Sequence, residues 1–366
     1  VENSPYHREA NVMEHTRMVV DWFIQFTDDV KGNTWSYSDV QGAVACAFHD
    51  YGKPASEEEF FSETLQRTIR SYKGHEIMSA GMFMDVWCTN QYNVRDVITD
   101  IDGFYNTWVM IAYHLPYNLT GDKLRVLRKH LLHYRIHDVF ERLLLSDTHG
   151  RIQDEREKEI NGCYEWINNL YSVDPFISKN SIDNGDVQMM VGVSGSGKST
   201  YTQSMDCSVY SYDGIRHALF PDADSYRDIF EKTNAYFDDD ERDLSLVHRR
   251  LKVGAPDKKY GQNELFFMTM KNAIEETPKE VVLAIDNTSL SRKYRRVINA
   301  ANHKARKNIT AVMFIRSLNE LYENEESRDE FSKRGKDVIN RLYYKYYPVL
   351  LGEADDIKLI PPKDYV

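Results

Sequence analysis

The stretch GVSGSGKS, residues 192–199, decides the fold of the second half of this chain. It fits the P-loop pattern G-x-x-x-x-G-K-[ST] at every fixed position, and the apolar run 187–191 before it predicts a buried strand. A helix is expected to begin at Lys198. We therefore predict a loop whose glycines let several backbone N–H groups turn toward a phosphate, assisted by the positive end of the helix.

This loop predicts a site for ATP or another nucleoside triphosphate and for Mg²⁺. Lys198 is placed to reach the β- and γ-phosphates, and the hydroxyl of Ser199 to bind the metal ion. The alternative, a flexible glycine-serine turn, does not account for the Lys-Ser pair or for the strand before it. The predicted nucleotide-binding residues of the loop are Gly192, Ser194, Gly195, Ser196, Gly197, Lys198, Ser199 and Thr200.

Composition and charge exclude several classes of protein. A length of 366 residues favours roughly two domains, and 42% hydrophobic residues argue against a disordered chain. The net charge of −11 argues against a broad nonspecific nucleic-acid coat but permits a local basic groove. Four cysteines without a C-x-x-C pair predict reduced thiols. With no signal-peptide pattern and no apolar run long enough to span a bilayer, we expect a cytoplasmic protein without a membrane partner.

The first half is predicted to be helical and to hold a metal site. Apolar residues recur at spacings of three and four, as at Val12, Val19, Phe23 and Phe26, and β-branched runs are scarce. Imidazole and carboxylate groups are the usual ligands of divalent transition metals, and a helical bundle can direct them inward from several helices. The candidate ligands are His15, His49, Asp50, His75, His114 and Asp147.

This ordered set resembles the HD-domain phosphohydrolases, a superfamily named after an adjacent His-Asp pair, here followed by Gly-Lys-Pro at 52–54. The resemblance implies two divalent transition metals bridged by Asp50, and such a pair suits phosphate-ester hydrolysis. It divides the other ligands into His15, His49 and Asp147 for one ion and His75 and His114 for the other. The alternative is that these are structural histidines. Lys53 is left open between a phosphate ligand and a solvated lysine.

The second half alternates strands with helices, which predicts an α/β domain with a parallel sheet. The strands are expected at 187–191, 207–211, 281–285 and 309–315. Ligands bind at the carboxyl ends of such strands, where Asp213 and Asp286 lie. Because phosphoryl transfer to a hydroxyl needs a base and a metal, we predict Asp213 as the general base and Asp286 as the residue that positions Mg²⁺ or its waters.

Two arginines complete the predicted kinase site. Arg216 lies one helical turn after Asp213, where it could hold a phosphate of the acceptor, and Arg334 lies in a basic segment predicted to be a lid over the transferred phosphate. Asp213 could instead be a helix N-cap and Arg216 a surface cation. The basic cluster 292–296 is interpreted as a solvated helix face rather than a nucleic-acid groove, and the tyrosines at 343–347 as helix packing.

Most of residues 187–347 resemble the 5′-hydroxyl polynucleotide kinases of the bacteriophage type, through the P-loop, Asp213-x-x-Arg216, Asp286-Asn287-Thr288 and the lid around Arg334. The segment 220–262 departs from that pattern. Together with the HD half, the chain resembles the bacterial HD-domain polynucleotide kinases. The resemblance implies nucleic-acid ends as partners, with RNA expected rather than DNA, and a polynucleotide ligase acting downstream.

We therefore predict an all-α HD-type helical domain at 1–174 and a P-loop α/β domain with a parallel sheet at 183–366. The predicted protein is a bifunctional end-healing enzyme. It phosphorylates 5′-hydroxyl polynucleotide ends and hydrolyses 3′-phosphate or 2′,3′-cyclic phosphate ends. One alternative is a small-molecule or nucleoside kinase fused to an HD nucleotidase. A second alternative is a nucleotide-switched binding module with a vestigial metal site, although a switch has no need of an acceptor base.

Overall fold

A computed structural model describes residues 11–32, 34–63, 66–151, 156–175, 184–329 and 331–365 of the chain. The chain divides into two compact units. The first comprises residues up to 178, together with 344–352 and Tyr365. The second comprises residues 179–343 and 353–364. The two units correspond to the two kinds of secondary structure predicted from the sequence, a helical part and a part built on a parallel sheet.

The first unit is mostly helical. Its helices in the described part of the chain are α1 (Val12–Lys31), α2 (Tyr37–Phe48), α3 (His75–Cys88), α4 (Val94–Val97), α5 (Ile101–Ala112), α6 (Asp122–His133), α7 (His137–His149) and α8 (Arg156–Ser172). Polar side chains fix where helices begin. Asn11 accepts a hydrogen bond from the N–H of Glu14 at the start of α1, and Ser36 with Asp39 forms a capping box on α2.

Aromatic rings hold the centre of this unit together. The ring of Phe104 in α5 lies against Phe83 and Trp87 of α3, with centroid distances of 5.6 and 4.4 Å, and Trp108 follows one turn later. All four side chains are fully buried. Burial of such large rings supplies most of the apolar area that stabilises a helical core.

The first unit departs from the prediction in two places. It is not all-α, because β1 (Glu58–Ser62) and β2 (Arg67–Ser71) form an antiparallel hairpin. Its first strand is exposed and has no alternation of apolar and polar residues, so the sequence gives no period-2 signal. The segment 344–352, which we assigned to the second domain, also belongs here. Its Tyr346 ring contacts Trp108 at 5.0 Å, and the N–H of Leu351 donates to His130 Nδ1 at 3.2 Å.

The second unit is built on a five-stranded parallel sheet of order β4-β5-β3-β6-β7. The strands are β3 (Asp186–Val191), β4 (Cys207–Tyr210), β5 (Val282–Ile285), β6 (Asn308–Phe314) and β7 (Asp356–Ile360). The helices described are α9 (Lys198–Gln203), α10 (Tyr212–Leu219), α11 (Tyr226–Asp238), α12 (Ser245–Leu251), α13 (Gln262–Glu276), α14 (Arg292–Asn302), α15 (Leu318–Glu326) and α16 (Lys336–Tyr343). The strand that precedes the glycine-rich loop, β3, is therefore central in the sheet, which accounts for its apolar sequence.

The basic cluster at the start of α14 is not a solvated helix face throughout. Arg295 is fully buried and its Nη2 lies 2.8 Å from Glu353 Oε2, while Arg292 Nε lies 2.7 Å from Glu353 Oε1. Only Lys293, Tyr294 and Arg296 of this cluster are exposed. The prediction was wrong for the two arginines because their partner, Glu353, lies far away in the sequence. Among the described residues, no helix is both long and apolar enough to cross a membrane.

Candidate functional site

The structure brings all six predicted metal ligands together in one buried cluster of the first unit. His15 lies in α1, His49 and Asp50 directly follow α2, His75 begins α3, His114 follows α5, and Asp147 lies in α7. None of these residues is more than 8% exposed. Gly52 permits the close approach, because a Cβ at this position would lie 2.5 Å from the backbone nitrogen of Ser79 in α3.

On one side of the cluster, two histidines face Asp50 Oδ2. His15 Nε2 lies 3.4 Å and His49 Nε2 3.2 Å from this oxygen, and the two imidazole nitrogens are 3.3 Å apart. Asp147 Oδ1 faces the same pair, 3.1 Å from His15 Nε2 and 3.6 Å from His49 Nε2. Two carboxylates and two imidazoles thus converge on one point, a donor set suited to a divalent transition metal.

The other oxygen of Asp50 faces a second pair of histidines. Its Oδ1 lies 3.0 Å from His75 Nε2 and 3.7 Å from His114 Nε2, and these two nitrogens are 3.3 Å apart. The possible ligand atoms of His15, His49 and Asp50 lie within 4.8 Å of one another, and so do those of Asp50, His75 and His114. The single carboxylate therefore contributes one oxygen to each of two adjacent donor groups, which is the arrangement of a bridging ligand.

The four histidines share one tautomer, fixed by the backbone. Each Nδ1 lies within hydrogen-bonding distance of a carbonyl oxygen, at 3.2 Å for His15, 2.7 Å for His49, 2.7 Å for His75 and 2.8 Å for His114. Since a carbonyl only accepts, each Nδ1 carries a proton, and each ring, when neutral, turns an Nε2 lone pair into the cluster. Facing lone pairs 3.3 Å apart repel one another unless a cation or a proton lies between them. The donor set therefore fits metal ions.

Buried charges around the cluster favour ionised carboxylates. Burial by itself would raise the pKa of Asp50, but His49 and Lys53 hold this pKa well below its usual range. Lys53 is buried with its Nζ 2.8 Å from Asp50 Oδ2, so it is not the solvated lysine considered above. Burial lowers the pKa of His49, yet Asp50 and Asp147 raise it to about 10. The metal-free cluster thus keeps a proton that a cation would displace.

Sequence reasoning missed one charged member of this cluster. Arg151 pairs with Asp147 Oδ2, four residues earlier, and its charge counters the effect of burial so that the pKa of Asp147 stays well below its usual range. This leaves Asp147 Oδ1 for the histidines. The spacing of four residues was the available signal. The second His-Asp dipeptide, His137-Asp138, lies outside the cluster as a partly exposed pair.

In the second unit, the glycine-rich loop connects a strand of the sheet to a helix. It follows β3, and α9 begins at Lys198. Gly195 and Gly197 have φ angles of 87° and 93°, a region that favours glycine. Lys198 is buried, donates to the carbonyls of Gly192 and Val193 at 2.9 Å each, and has its pKa lowered by burial to about 8. The hydroxyl of Ser196 is buried without a hydrogen-bond partner in the described part of the chain.

The predicted Mg²⁺ residues and acceptor residues meet at the carboxyl ends of the strands. Ser199 Oγ donates to Asp286 Oδ2 at 2.8 Å. Asp213 is not a helix N-cap, because Ser211 caps α10 by accepting the N–H of Gly214. Its Oδ1 instead accepts from Arg216 Nη1 at 2.8 Å and its Oδ2 from Arg334 Nη2 at 2.5 Å. Arg334, the predicted lid arginine, therefore contacts the predicted base directly.

A cavity of about 430 Å³ joins these groups. Six predicted side chains line it, namely Lys198, Ser199, Asp213, Arg216, Asp286 and Arg334. Ser194 also lines it and accepts a hydrogen bond from Arg328 at 3.0 Å, whereas Thr200 is exposed and lies outside the lining. Arg341 is exposed and also lies outside it. The aromatic part of the lining was not predicted from the sequence; it includes Tyr226 and Phe230 of α11 and Phe266 of α13.

Comparison with known proteins identifies no family. No protein-family model matches the chain, and no curated protein matches its sequence significantly.

Proposed function

We propose that this protein is a bifunctional nucleic-acid end-healing enzyme. Its first unit hydrolyses 3′-phosphate or 2′,3′-cyclic phosphate ends, and its second unit transfers the γ-phosphate of a nucleoside triphosphate to a 5′-hydroxyl end. The products would be ends that a polynucleotide ligase can join, with RNA as the expected substrate. The observation that carries this proposal is the shared carboxylate of Asp50, with one oxygen facing each of two histidine pairs.

The hydrolase proposal follows from the donor set of the first unit. A metal pair bound there would supply an activated water and neutralise the charge of a phosphoryl group. His15, His49 and Asp147 would hold one ion, His75 and His114 the other, and Asp50 both. The backbone carbonyls fix the four imidazoles in the tautomer that this role needs, and Lys53 and Arg151 compensate the two buried carboxylates. A two-metal site of this kind is what the resemblance to the HD-domain phosphohydrolases implies.

The kinase proposal assigns each group in the cavity a role. Lys198, now bonded to loop carbonyls, would turn to the β- and γ-phosphates, and the Ser199–Asp286 pair would position Mg²⁺. Asp213 would take the proton from the acceptor hydroxyl. We expect Arg334, on the predicted lid segment, to leave Asp213 and move to the transferred phosphate. Arg216 would remain beside the acceptor.

The second candidate is a nucleoside kinase fused to an HD nucleotidase. The volume of the cavity favours it, because about 430 Å³ lies within the range of pockets that enclose one small ligand. The basic side chains on its acceptor side, Arg216 and Arg334, favour an acceptor that bears a further phosphate instead.

The deciding experiment supplies labelled ATP and Mg²⁺ with two kinds of acceptor, 5′-hydroxyl oligonucleotides and free nucleosides. We expect label on RNA oligonucleotides and little on nucleosides. When transition metals are added, we expect release of phosphate from 3′-phosphate ends or ring opening of 2′,3′-cyclic ends to a phosphomonoester. Label on nucleosides alone would select the second candidate. No transfer to any acceptor, together with no phosphoester hydrolysis, would overturn both.

A further inference from the structure

We propose that the aromatic wall formed by α11 and α13 is a subsite for the nucleobase of the acceptor's terminal nucleotide. The inference rests on the proposed kinase function and extends it, because it concerns what the enzyme recognises beyond the reacting hydroxyl. The wall lies in the segment 220–262 and at the start of α13, where the sequence departs from the kinase pattern and gives no role.

One face of α11 supplies most of the wall. Tyr226, Phe230 and Asn234 follow one another at spacings of four and all line the cavity. The rings of Tyr226 and Phe230 have centroids 6.5 Å apart and planes within 26° of each other, so they form a continuous aromatic strip. Phe230 is 41% exposed although it lines a cavity. A large apolar ring left open beside polar groups favours a planar ligand that can stack on it.

Arg216 contacts both the wall and the predicted base, so the wall lies next to the reacting groups. The guanidinium of this residue lies 5.2 Å from the ring centroids of both Phe230 and Phe266, while its Nη1 donates to Asp213. Phe266 is itself buried and stacked on Tyr212. The aromatic surface therefore begins at the edge of the proposed acceptor site. A nucleotide whose 5′-hydroxyl lies at Asp213 would place its base on this surface.

Amide side chains at the wall can satisfy the polar edge of a base. Asn234, Gln262 and Asn263 all line the cavity. Their side chains make no hydrogen bond with any residue that the structure describes. An amide both donates and accepts, and so can pair with the edges of several bases. Stacking surface and amides together match a nucleobase better than they match a purely apolar ligand or a bare phosphate.

The wall is also joined to the lid. The N–H of Tyr226 donates to the carbonyl of Phe331 at 2.7 Å, and the guanidinium of Arg334 lies 4.1 Å from the Tyr226 ring centroid. A base stacked on this strip would therefore contact α11, the helix whose Tyr226 ring packs against Arg334.

The test compares two single-stranded acceptors that differ only in whether the 5′-terminal nucleotide carries a base or a tetrahydrofuran abasic residue. Stacking of one base predicts a KM about 5- to 100-fold higher for the abasic acceptor, with kcat largely unchanged, since a remote base contributes equally before and during transfer. Phe230→Ala should raise the KM of the base-bearing acceptor by a similar factor and leave that of the abasic acceptor unchanged. Phe230→Tyr keeps the ring and should retain most of the KM difference between the two acceptors.

Arg227→Ala is the matched control, because Arg227 lies on the exposed side of α11 and does not line the cavity. It should phosphorylate both acceptors like the wild type. Equal KM values for the two acceptors in the wild type would overturn the subsite while leaving the kinase assignment intact. An equal loss on both acceptors in Phe230→Ala would also overturn it. Failure of the wild type to phosphorylate either acceptor would remove the proposed function and the subsite together.

Discussion

The bridging role of Asp50 makes a quantitative prediction about the metal-free protein. Asp50 and Lys53 form a buried ion pair, with Nζ 2.8 Å from Oδ2 and with the two side chains 3% and 6% exposed. Asp50→Ala removes the carboxylate. The ammonium group of Lys53 then stays in the interior without this counter-charge. The other carboxylate of the cluster, Asp147, is already paired with Arg151.

The expected cost follows from this geometry. Breaking a buried pair by removing one partner costs about 3–5 kcal/mol of unfolding free energy, because the remaining charge stays desolvated. Replacing both partners by apolar groups is close to neutral. The double variant Asp50→Ala/Lys53→Met should therefore recover most of the stability that Asp50→Ala loses. Coupling of this kind is the signature of direct contact between two residues.

The assay is chemical denaturation in the presence of a chelator, followed by circular dichroism at a helical wavelength. Asp122→Ala serves as the control, because Asp122 pairs with Arg125 on the surface and is 91% exposed; its unfolding midpoint should not move. If Lys53→Met fails to restore stability to Asp50→Ala, Asp50 is not held in the interior as a compensated anion, and the reasoning about the cluster is wrong.

Three further predictions address other parts of the chain. Lys198→Ala should lower kinase turnover about 100-fold or more while phosphoester hydrolysis persists, as a paired activity assay would show. Burial, reinforced by His133, lowers the pKa of His130 to about 3. As the pH falls, the unfolded chain therefore protonates His130 before the folded chain does. This difference should lower the free energy of unfolding by about 2 kcal/mol between pH 6.5 and pH 5. His130→Asn should remove that pH dependence in denaturant titrations and His133→Asn should not. Glu353→Ala leaves Arg295 buried without its carboxylate and should cost about 3–5 kcal/mol in thermal or denaturant unfolding.

Local sequence patterns predicted most of the elements that position the two sites. A mostly apolar run followed by glycines is enough to place β3 and its loop, because both signals lie within a dozen residues. Residue type and the resemblance to the HD-domain phosphohydrolases selected His15, His49 and Asp147, and the helical periodicity placed them in or beside helices. The structure confirms the coarse architecture of a helical part followed by a parallel sheet.

Features that depend on distant partners were not predictable in this way. Arg295 looks like a surface residue of a basic helix until Glu353, 58 positions later, is placed beside it. Strand β7 was missed because Lys358 divides a short apolar run, and its pairing with β6 only becomes visible in the sheet. The aromatic strip of α11 was missed for another reason. Its period-4 pattern was present, but it predicts a buried helix face as readily as the wall of a cavity.

The central claim, a metal pair bridged by Asp50, is tested most directly by metal content. Protein stripped with a chelator is dialysed against each ion of a first-row transition-metal series and analysed for bound metal, in parallel with hydrolysis of 3′-phosphate and 2′,3′-cyclic ends. At least one ion should bind at about two per chain and restore hydrolysis. His75→Ala should retain about one ion and Asp50→Ala less. Wild-type protein that binds no ion and hydrolyses no phosphoester with any of them would contradict the account, and the six residues would then be structural.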